Sequence, residues 1–148
     1  MMWYRRMNTS MWRSVCFALL LCCCSYSVKA QDMRGDNGAY VGRIESDGII
    51  RDRSNSMIGR IESDGTIRNR SYAMAGRIES DGTIRNRSNS MVGRVESDGT
   101  VRDDCYRSIG YVKSDGTVRD GSNRSIGEAR NVPRTHAAVF FFFRKLLE

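Results

Sequence analysis

Apolar and polar positions along this chain follow a period of seventeen residues. Gly42, Gly59, Gly76, Gly93, Gly110 and Gly127 each open a unit, of which Gly59-Arg60-Ile61-Glu62-Ser63-Asp64-Gly65-Thr66-Ile67-Arg68-Asn69-Arg70 is a clear copy. A period this short calls for a repeat architecture, in which no unit buries its apolar face alone. Apolar residues alternate with polar ones on either side of Ser63-Asp64-Gly65, and Asp-Gly between two such segments predicts a β-hairpin. Ser63 and Asp64 suit the central positions of a type I turn, and Gly65 supplies the left-handed backbone that follows. A three-residue loop sets Glu62 opposite Thr66 and Ile61 opposite Ile67. Alternation then buries Ile61 and Ile67 and turns Arg60, Glu62, Thr66 and Arg68 outward, where their charges pair. The same reading makes turns of Asp47-Gly48, Asp81-Gly82, Asp98-Gly99 and Asp115-Gly116, and core residues of Ile44, Ile78, Ile84, Val95 and Val101.

Between hairpins, stretches such as Asn69-Arg70-Ser71-Tyr72-Ala73 predict looser turns. Asn55, Asn89 and Asn123 fall in the equivalent places, where Asn and Ser bond their own backbone. The glycine opening each unit predicts a bulge or a close approach of neighbouring backbones. Hairpins that share one interior are best served by a ring, which removes exposed sheet edges. The fold class is therefore all-β: a shallow closed barrel or ring of about six short hairpins. Five clear units cover residues 42–126, after a short polar segment over 31–41.

The last stretch, 127–148, is a degenerate sixth unit that runs into Ala137-Ala138-Val139-Phe140-Phe141-Phe142-Phe143. Pro133 suits a first helical turn, Ala137 and Ala138 suit a helix, and Arg144 with Lys145 suit a helix C-terminus. A segment that is apolar on all sides is buried on all sides. The expectation is an apolar helix threading the ring, with Phe140, Phe141, Phe142 and Phe143 in the core. The alternative is a final buried strand, which consecutive Phe residues favour by propensity.

At the other end, Arg5, Arg6 and Arg13 precede the apolar run Val15 to Cys24, and Val28-Lys29-Ala30 precedes Gln31. That order is a cleaved secretory signal over residues 1–30. The run is too short for a bilayer-spanning helix, which needs about 20 apolar residues. Leu20-Leu21 before Cys22 lacks the small residue usual before an acylated cysteine, so lipoprotein anchoring is the weaker reading. A start at Met7 or Met11 would keep the run and the cleavage site. The expected location is secreted or periplasmic.

Cleavage changes the charge and cysteine arithmetic. The formal net charge is +7, and residues 1–30 hold Arg5, Arg6, Arg13 and Lys29 with no acidic residue, so the remainder is only +3. Its charges alternate in sign within each unit, which describes a solvated face and not a nucleic-acid footprint. Four of the five cysteines also lie in residues 1–30, leaving Cys105 with no intramolecular partner. It is read as a tolerated substitution, with an intermolecular disulfide between exported copies as the alternative.

With the units and the tail in view, the chain resembles the bacterial β-flower proteins, shallow symmetric barrels of short β-hairpins. The resemblance rests on the Gly-x-Ile-x-Ser-Asp-Gly-x-Ile-x units and on His136-Ala137-Ala138-Val139-Phe140-Phe141-Phe142-Phe143, and covers about residues 33–148. Such barrels are superficially similar to the tubby C-terminal domain, a phosphoinositide-binding barrel with a central apolar helix. The likeness offers an analogy for the tail and implies no activity or binding residue.

Candidate chemistry is sparse. His136 is the only histidine, borders an apolar segment and is read as structural. No nucleophile–histidine pair falls within a unit, and the turn aspartates lack the dense spacing of a calcium loop. Weak cation binding by a ring of them is the minor alternative. No catalytic, metal or cofactor site is expected. Arg34-Gly35-Asp36 matches an adhesion tripeptide by chance. Tyr40, Tyr72, Tyr106 and Tyr111 are read as loop or strand packing, with stacking on sugars or lipids as the alternative. Arg51, Arg53, Arg68, Arg70, Arg85 and Arg87 form a repeated basic stripe, so an anionic glycan or lipid is the ligand class its chemistry would admit. The function expected is an exported, non-catalytic structural or binding module of the bacterial cell envelope. A tubby-like barrel for lipid or anionic ligands is the alternative, and assembly of several copies is left open.

Overall fold

The computed structural model describes residues 31–148, so the expected signal sequence lies outside the described residues. Twelve antiparallel strands form one closed barrel, followed by a short C-terminal helix. The strands are β1 (Gln31–Gly35), β2 (Tyr40–Ile44), β3 (Ile49–Asp52), β4 (Met57–Ile61), β5 (Thr66–Asn69), β6 (Met74–Ile78), β7 (Thr83–Asn86), β8 (Met91–Val95), β9 (Thr100–Asp103), β10 (Ser108–Val112), β11 (Thr117–Asp120) and β12 (Ser125–Ala129). The tail forms α1 (Arg134–Phe141) and a 3-10 turn over Arg144–Leu147, so the alternative of a final strand is excluded.

Five hairpins, β2–β3 to β10–β11, are each closed by one of the turns read from the repeat. In the second, Gly65 N–H donates to the Glu62 carbonyl at 3.0 Å and Glu62 N–H donates to the Thr66 carbonyl at 2.8 Å. Gly65 has φ 86°, and Gly48, Gly82, Gly99 and Gly116 are equally left-handed. Ile61 lies opposite Ile67, as the three-residue loop requires. Corresponding inward pairs are Ile44 with Ile50, Ile78 with Ile84, Val95 with Val101 and Val112 with Val118. All ten are buried except Ile78, which is half-buried. Thr66, Thr83 and Thr100 lie on the expected outer face, opposite Arg77, Arg94 and Tyr111, but are buried there beneath the turn aspartate: Thr83 Oγ1 donates to Asp81 Oδ2 at 3.0 Å.

Successive hairpins join through a second repeated turn. Its side-chain acceptor is the residue ending the preceding strand, and not the Asn in the turn itself. Asn69 Oδ1 accepts from Ser71 and Ala73 N–H, and Asp52, Asn86, Asp103 and Asp120 act likewise. Asn55, Asn89 and Asn123 instead occupy left-handed backbone, at φ 62–63°. Each inter-hairpin pairing also carries a register shift one or two residues from the opening glycine, so the expected bulge is present.

The segment 31–41, set apart from the repeats by its sequence, supplies the strand that closes the ring. Met33, Arg34 and Gly35 pair with Ala129, Glu128 and Gly127 in the register by which Ile50, Arg51 and Asp52 pair with Ile44, Arg43 and Gly42. β1 is thus the second strand of a sixth unit whose first strand, β12, lies at the other end of the sequence. Arg34 even repeats a contact of that unit: its guanidinium donates to the Gly38 carbonyl at 3.1 Å, as Arg51 does to Asn55 at 3.2 Å. Arg34 is therefore part of its own turn and not of a free Arg-Gly-Asp loop.

The opening glycines face inward, against the tail. A Cβ placed on Gly42, Gly59, Gly93, Gly110 or Gly127 would overlap Phe140, Leu147, Phe143, Phe142 or Phe141 respectively, and each would also crowd a carbonyl oxygen of an adjacent strand. Four successive Phe residues thus step one unit at a time around the ring. An α-helix turns about 100° per residue, more than the one-sixth turn between units, so regular helix gives way after Phe141. Arg144 and Lys145 consequently sit in the 3-10 turn and not at the helix end as expected. Ala137, Ala138, Val139, Phe140, Phe143 and Leu147 join the inward strand residues, with Met33, Ile58 and Ala129, in one apolar cluster; Phe141 and Phe142 are half-buried against it.

Gly93→Ala is predicted to cost about 1–3 kcal/mol, as overpacking against the Phe143 ring and the Arg102 carbonyl does. At Gly121 the nearest atom to an added Cβ is 3.4 Å away, so Gly121→Ala should stay within about 0.5 kcal/mol. Urea denaturation of both variants checks this, and equal losses would contradict it.

Candidate functional site

The barrel has two unlike ends. One carries the five Ser-Asp-Gly turns, and α1 begins there, with Arg134 donating to the Ser97 carbonyl. The other carries the inter-hairpin turns, where Arg70 N–H donates to the Leu147 carbonyl.

Two clefts open at the Ser-Asp-Gly end beside the start of α1. The larger, about 700 Å³, lies over the first and second hairpins and is lined by Asp47, Arg60, Asp64, Pro133 and His136. The second, about 580 Å³, lies over the third and fourth hairpins and is lined by Asp81, Ser97, Arg134 and Thr135. His136 is half-buried in the first, and burial pushes its imidazole below the usual histidine range. It is the one imidazole of the sequence, and neutral at pH 7 it offers one donor and one acceptor.

The turn aspartates are structural in their first contact. Asp64, Asp81, Asp98 and Asp115 each accept the N–H of the threonine two residues on, at 2.8–2.9 Å, and Asp47 accepts from Ile49 at 3.1 Å. The Thr66 N–H, then its hydroxyl, hold the Asp64 carboxyl below the usual carboxylate range, and Thr83, Thr100 and Thr117 act alike on their partners. The second oxygens of Asp81 and Asp98 accept from the Thr83 and Thr100 hydroxyls, each at 3.0 Å.

The outer wall holds the basic stripe, and the register sets arginine directly opposite arginine. Arg43 faces Arg51, Arg60 faces Arg68, Arg77 faces Arg85 and Arg94 faces Arg102. Like charges directly opposite repel. Glutamates relieve the repulsion: Glu45, Glu62, Glu79 and Glu96 bind Arg51, Arg68, Arg85 and Arg102 at 2.7–2.9 Å. The same arginines donate to the carbonyl of the left-handed turn residue, as Arg68 does to Tyr72 at 3.2 Å. Half of the stripe is therefore a strut between hairpin and turn. Arg53, Arg70 and Arg87 are the free part, exposed in the turns of the opposite end.

Two features of that opposite end escaped the sequence reading. Tyr72 and Tyr106 are not packed: they are 58% and 61% exposed and occupy left-handed backbone at φ 59° and 60°. Tyr111, 38% exposed, lies on β10 opposite Arg119, where other units carry arginine, while Tyr40 is half-buried. Cys105 is exposed beside Tyr106, and the Asp104 carboxylate raises its thiol above the usual range, which disfavours the reactive thiolate. Asp103, Asp104 and Cys105 lie close together. Asp103 is already occupied, by the N–H groups of Cys105 and Arg107 and by the Arg107 guanidinium at 2.8 Å.

Stability should fall with pH in two steps. A histidine depressed by burial binds its proton first in the unfolded chain, so stability is lost as pH drops below about 6.5. Asp64, Asp81, Asp98 and Asp115, also depressed, cause loss below about pH 3.9 by the same sign. Urea denaturation across pH checks both: His136→Gln should remove the first step, and the Asp64→Asn, Asp81→Asn, Asp98→Asn triple variant should flatten the second. A profile unchanged by either would contradict the assignment.

No curated protein and no solved structure matches the chain at a significant level. A family model described as 5-fold beta-flower protein matches residues 30–145. That span takes in all five turn-closed hairpins, the closing strands and the aromatic tail, and the chain belongs to the 5-fold beta-flower protein family.

Proposed function

We propose that this chain is an exported, non-catalytic structural or binding module of the bacterial cell envelope, with its C-terminal segment as the plug of the barrel. One observation carries the reading: the polar groups that the repeat multiplies are engaged by the repeat itself. The aspartates hold turns, the glutamates hold arginines, and those arginines hold the next turn. A catalytic centre departs from such regularity at one place, whereas the half-buried His136 has only apolar burial acting on its titration. The plug is supported by the five tail side chains that meet inward glycines. Export is supported by the order of charged, apolar and small residues over 1–30.

A barrel for lipid or anionic ligands is the second reading, favoured by the exposed Arg53, Arg70 and Arg87 in the inter-hairpin turns. The acidic rim at the Ser-Asp-Gly end does not favour an anion there.

Expression of the full chain in a bacterial host, followed by mass spectrometry of the periplasmic and secreted fractions, tests the proposal. A soluble protein beginning at Gln31 and free of bound lipid or glycan is expected for a structural module. Co-purifying anionic lipid or glycan would move the assignment to the second reading. An uncleaved or acylated chain in the membrane fraction would overturn cleaved export.

A further inference from the structure

On the outer wall of the fifth hairpin one contact of the repeat is missing. In hairpins one to four a glutamate holds the second-strand arginine: Glu45, Glu62, Glu79 and Glu96 accept from Nε of Arg51, Arg68, Arg85 and Arg102. Glu62 and Glu96 make a two-point grip, with Nη2 of Arg68 and Arg102 donating to the second carboxylate oxygen at 3.4 and 3.3 Å. The fifth hairpin keeps the arginine as Arg119, which still donates from Nη1 to the carbonyl of the left-handed turn residue, Asn123, at 2.8 Å. Lys113 replaces the glutamate. Its N–H donates to the Thr117 carbonyl as Glu62 N–H does to Thr66, so the lysine stands at the same place in the backbone. Nε of Arg119 is buried without a partner, and neither Arg119 nor Lys113 joins an ion pair among the described residues. Nε of Arg43 and of Arg94 is unpartnered too, but those guanidiniums reach Glu45 and Asp81 through Nη2.

The first-strand arginine is replaced as well. Exposed Tyr111 lies directly opposite Arg119, where hairpins one to four set arginine against arginine. That change removes the repulsion the glutamates relieve, so loss of the glutamate alone would cost little. A lysine in its place goes further and sets a second cation where the other four hairpins have a carboxylate. The carboxylates around this wall are engaged elsewhere: Asp98 by Thr100, Asp115 by the Thr117 N–H and Glu128 by Arg130.

We propose that the wall of the fifth hairpin binds an external carboxylate, the uronate of an acidic saccharide, in the place that glutamate fills in the other four hairpins. Arg119 supplies its Nε and Nη2 edge, the geometry that takes a carboxylate through two parallel hydrogen bonds. Lys113, exposed on a flexible stem, supplies the second charge. The saccharide follows from Tyr111, the one exposed aromatic residue within a strand among the described residues. Its ring offers a flat apolar face, and directly opposed residues are close enough for one ligand to touch both. The site lies apart from Arg53, Arg70 and Arg87 in the inter-hairpin turns and does not depend on export.

Titration of the purified protein with sodium glucuronate, followed by backbone amide NMR, tests this, with acetate and glucose as comparisons. Shifts should centre on 111–113 and 117–119; glucuronate should bind more tightly than acetate, and glucose should not bind. Lys113→Glu restores the repeat's own pair, so it should weaken glucuronate binding about ten-fold or more while the melting temperature stays equal or rises. Tyr111→Thr should bring glucuronate down to the level of acetate. The absence of saturable shifts at this wall, or a Lys113→Glu variant that binds like the parent, would overturn the proposal. Equal binding of acetate and glucuronate by the parent would overturn the assignment to a saccharide. Shifts centred on Arg53, Arg70 and Arg87 would move the anion to the turns and overturn this site.

Discussion

A sheet that ends leaves two rows of unpaired backbone groups, and in this chain those rows belong to the first and last strands of the described sequence. Pairing β1 with β12 satisfies both at once, and the rest of the barrel depends on that seam. No turn links the two strands, so the sixth unit is held by hydrogen bonds and by the burial of Met33 and Ala129 alone. The arrangement fixes the order of events, because the ring closes only after the whole repeat region is available. It also explains why Arg34 copies the contact of Arg51: the seam has the chemistry of an ordinary unit and differs only in connectivity.

Closure creates a second demand. A small barrel needs its interior filled by side chains, yet each unit turns one Ile- or Val-type pair inward and then a glycine. The glycine is required by the carbonyl of the neighbouring strand, as the crowding of any added Cβ shows. Side chains of Phe140 to Phe143 and Leu147 lie next to five of these glycines, each residue at a different unit. Gly76 is the exception; its nearest neighbours are backbone atoms of Arg85 and Asn86. The symmetric wall thus meets an asymmetric tail, and this is where copies of one sequence unit come to have different surroundings.

Much of this was legible in the sequence because the information is local and repeated. Asp-Gly between alternating residues specifies the loop length, the loop length specifies Ile61 opposite Ile67, and alternation specifies the inner face. What was not legible is non-local. β1 lacks both the opening glycine and the Ser-Asp-Gly turn, since it is half a unit, and its partner lies almost a hundred residues away; only the seventeen-residue spacing from Met33 to Ile50 pointed to it. The side-chain bond of the second turn was assigned to Asn55 instead of to the strand-ending Asp52 and its equivalent Asn69 for a different reason. Both residue types suit turns, and which one accepts hydrogen bonds depends on backbone conformation. Tyr72 and Tyr106 were missed because an aromatic residue in a loop reads as packed until its φ and exposure are known.

Hydrogen exchange of individual backbone amides tests the seam most directly. The account predicts that the amides of β1 and β12 engaged in their mutual pairing are protected to the same degree as those of the central hairpin β4–β5, and lose protection together with it in one cooperative opening. Fast exchange along β1 while β4–β5 stays protected would contradict it, and would make the barrel an open sheet with a loose first strand.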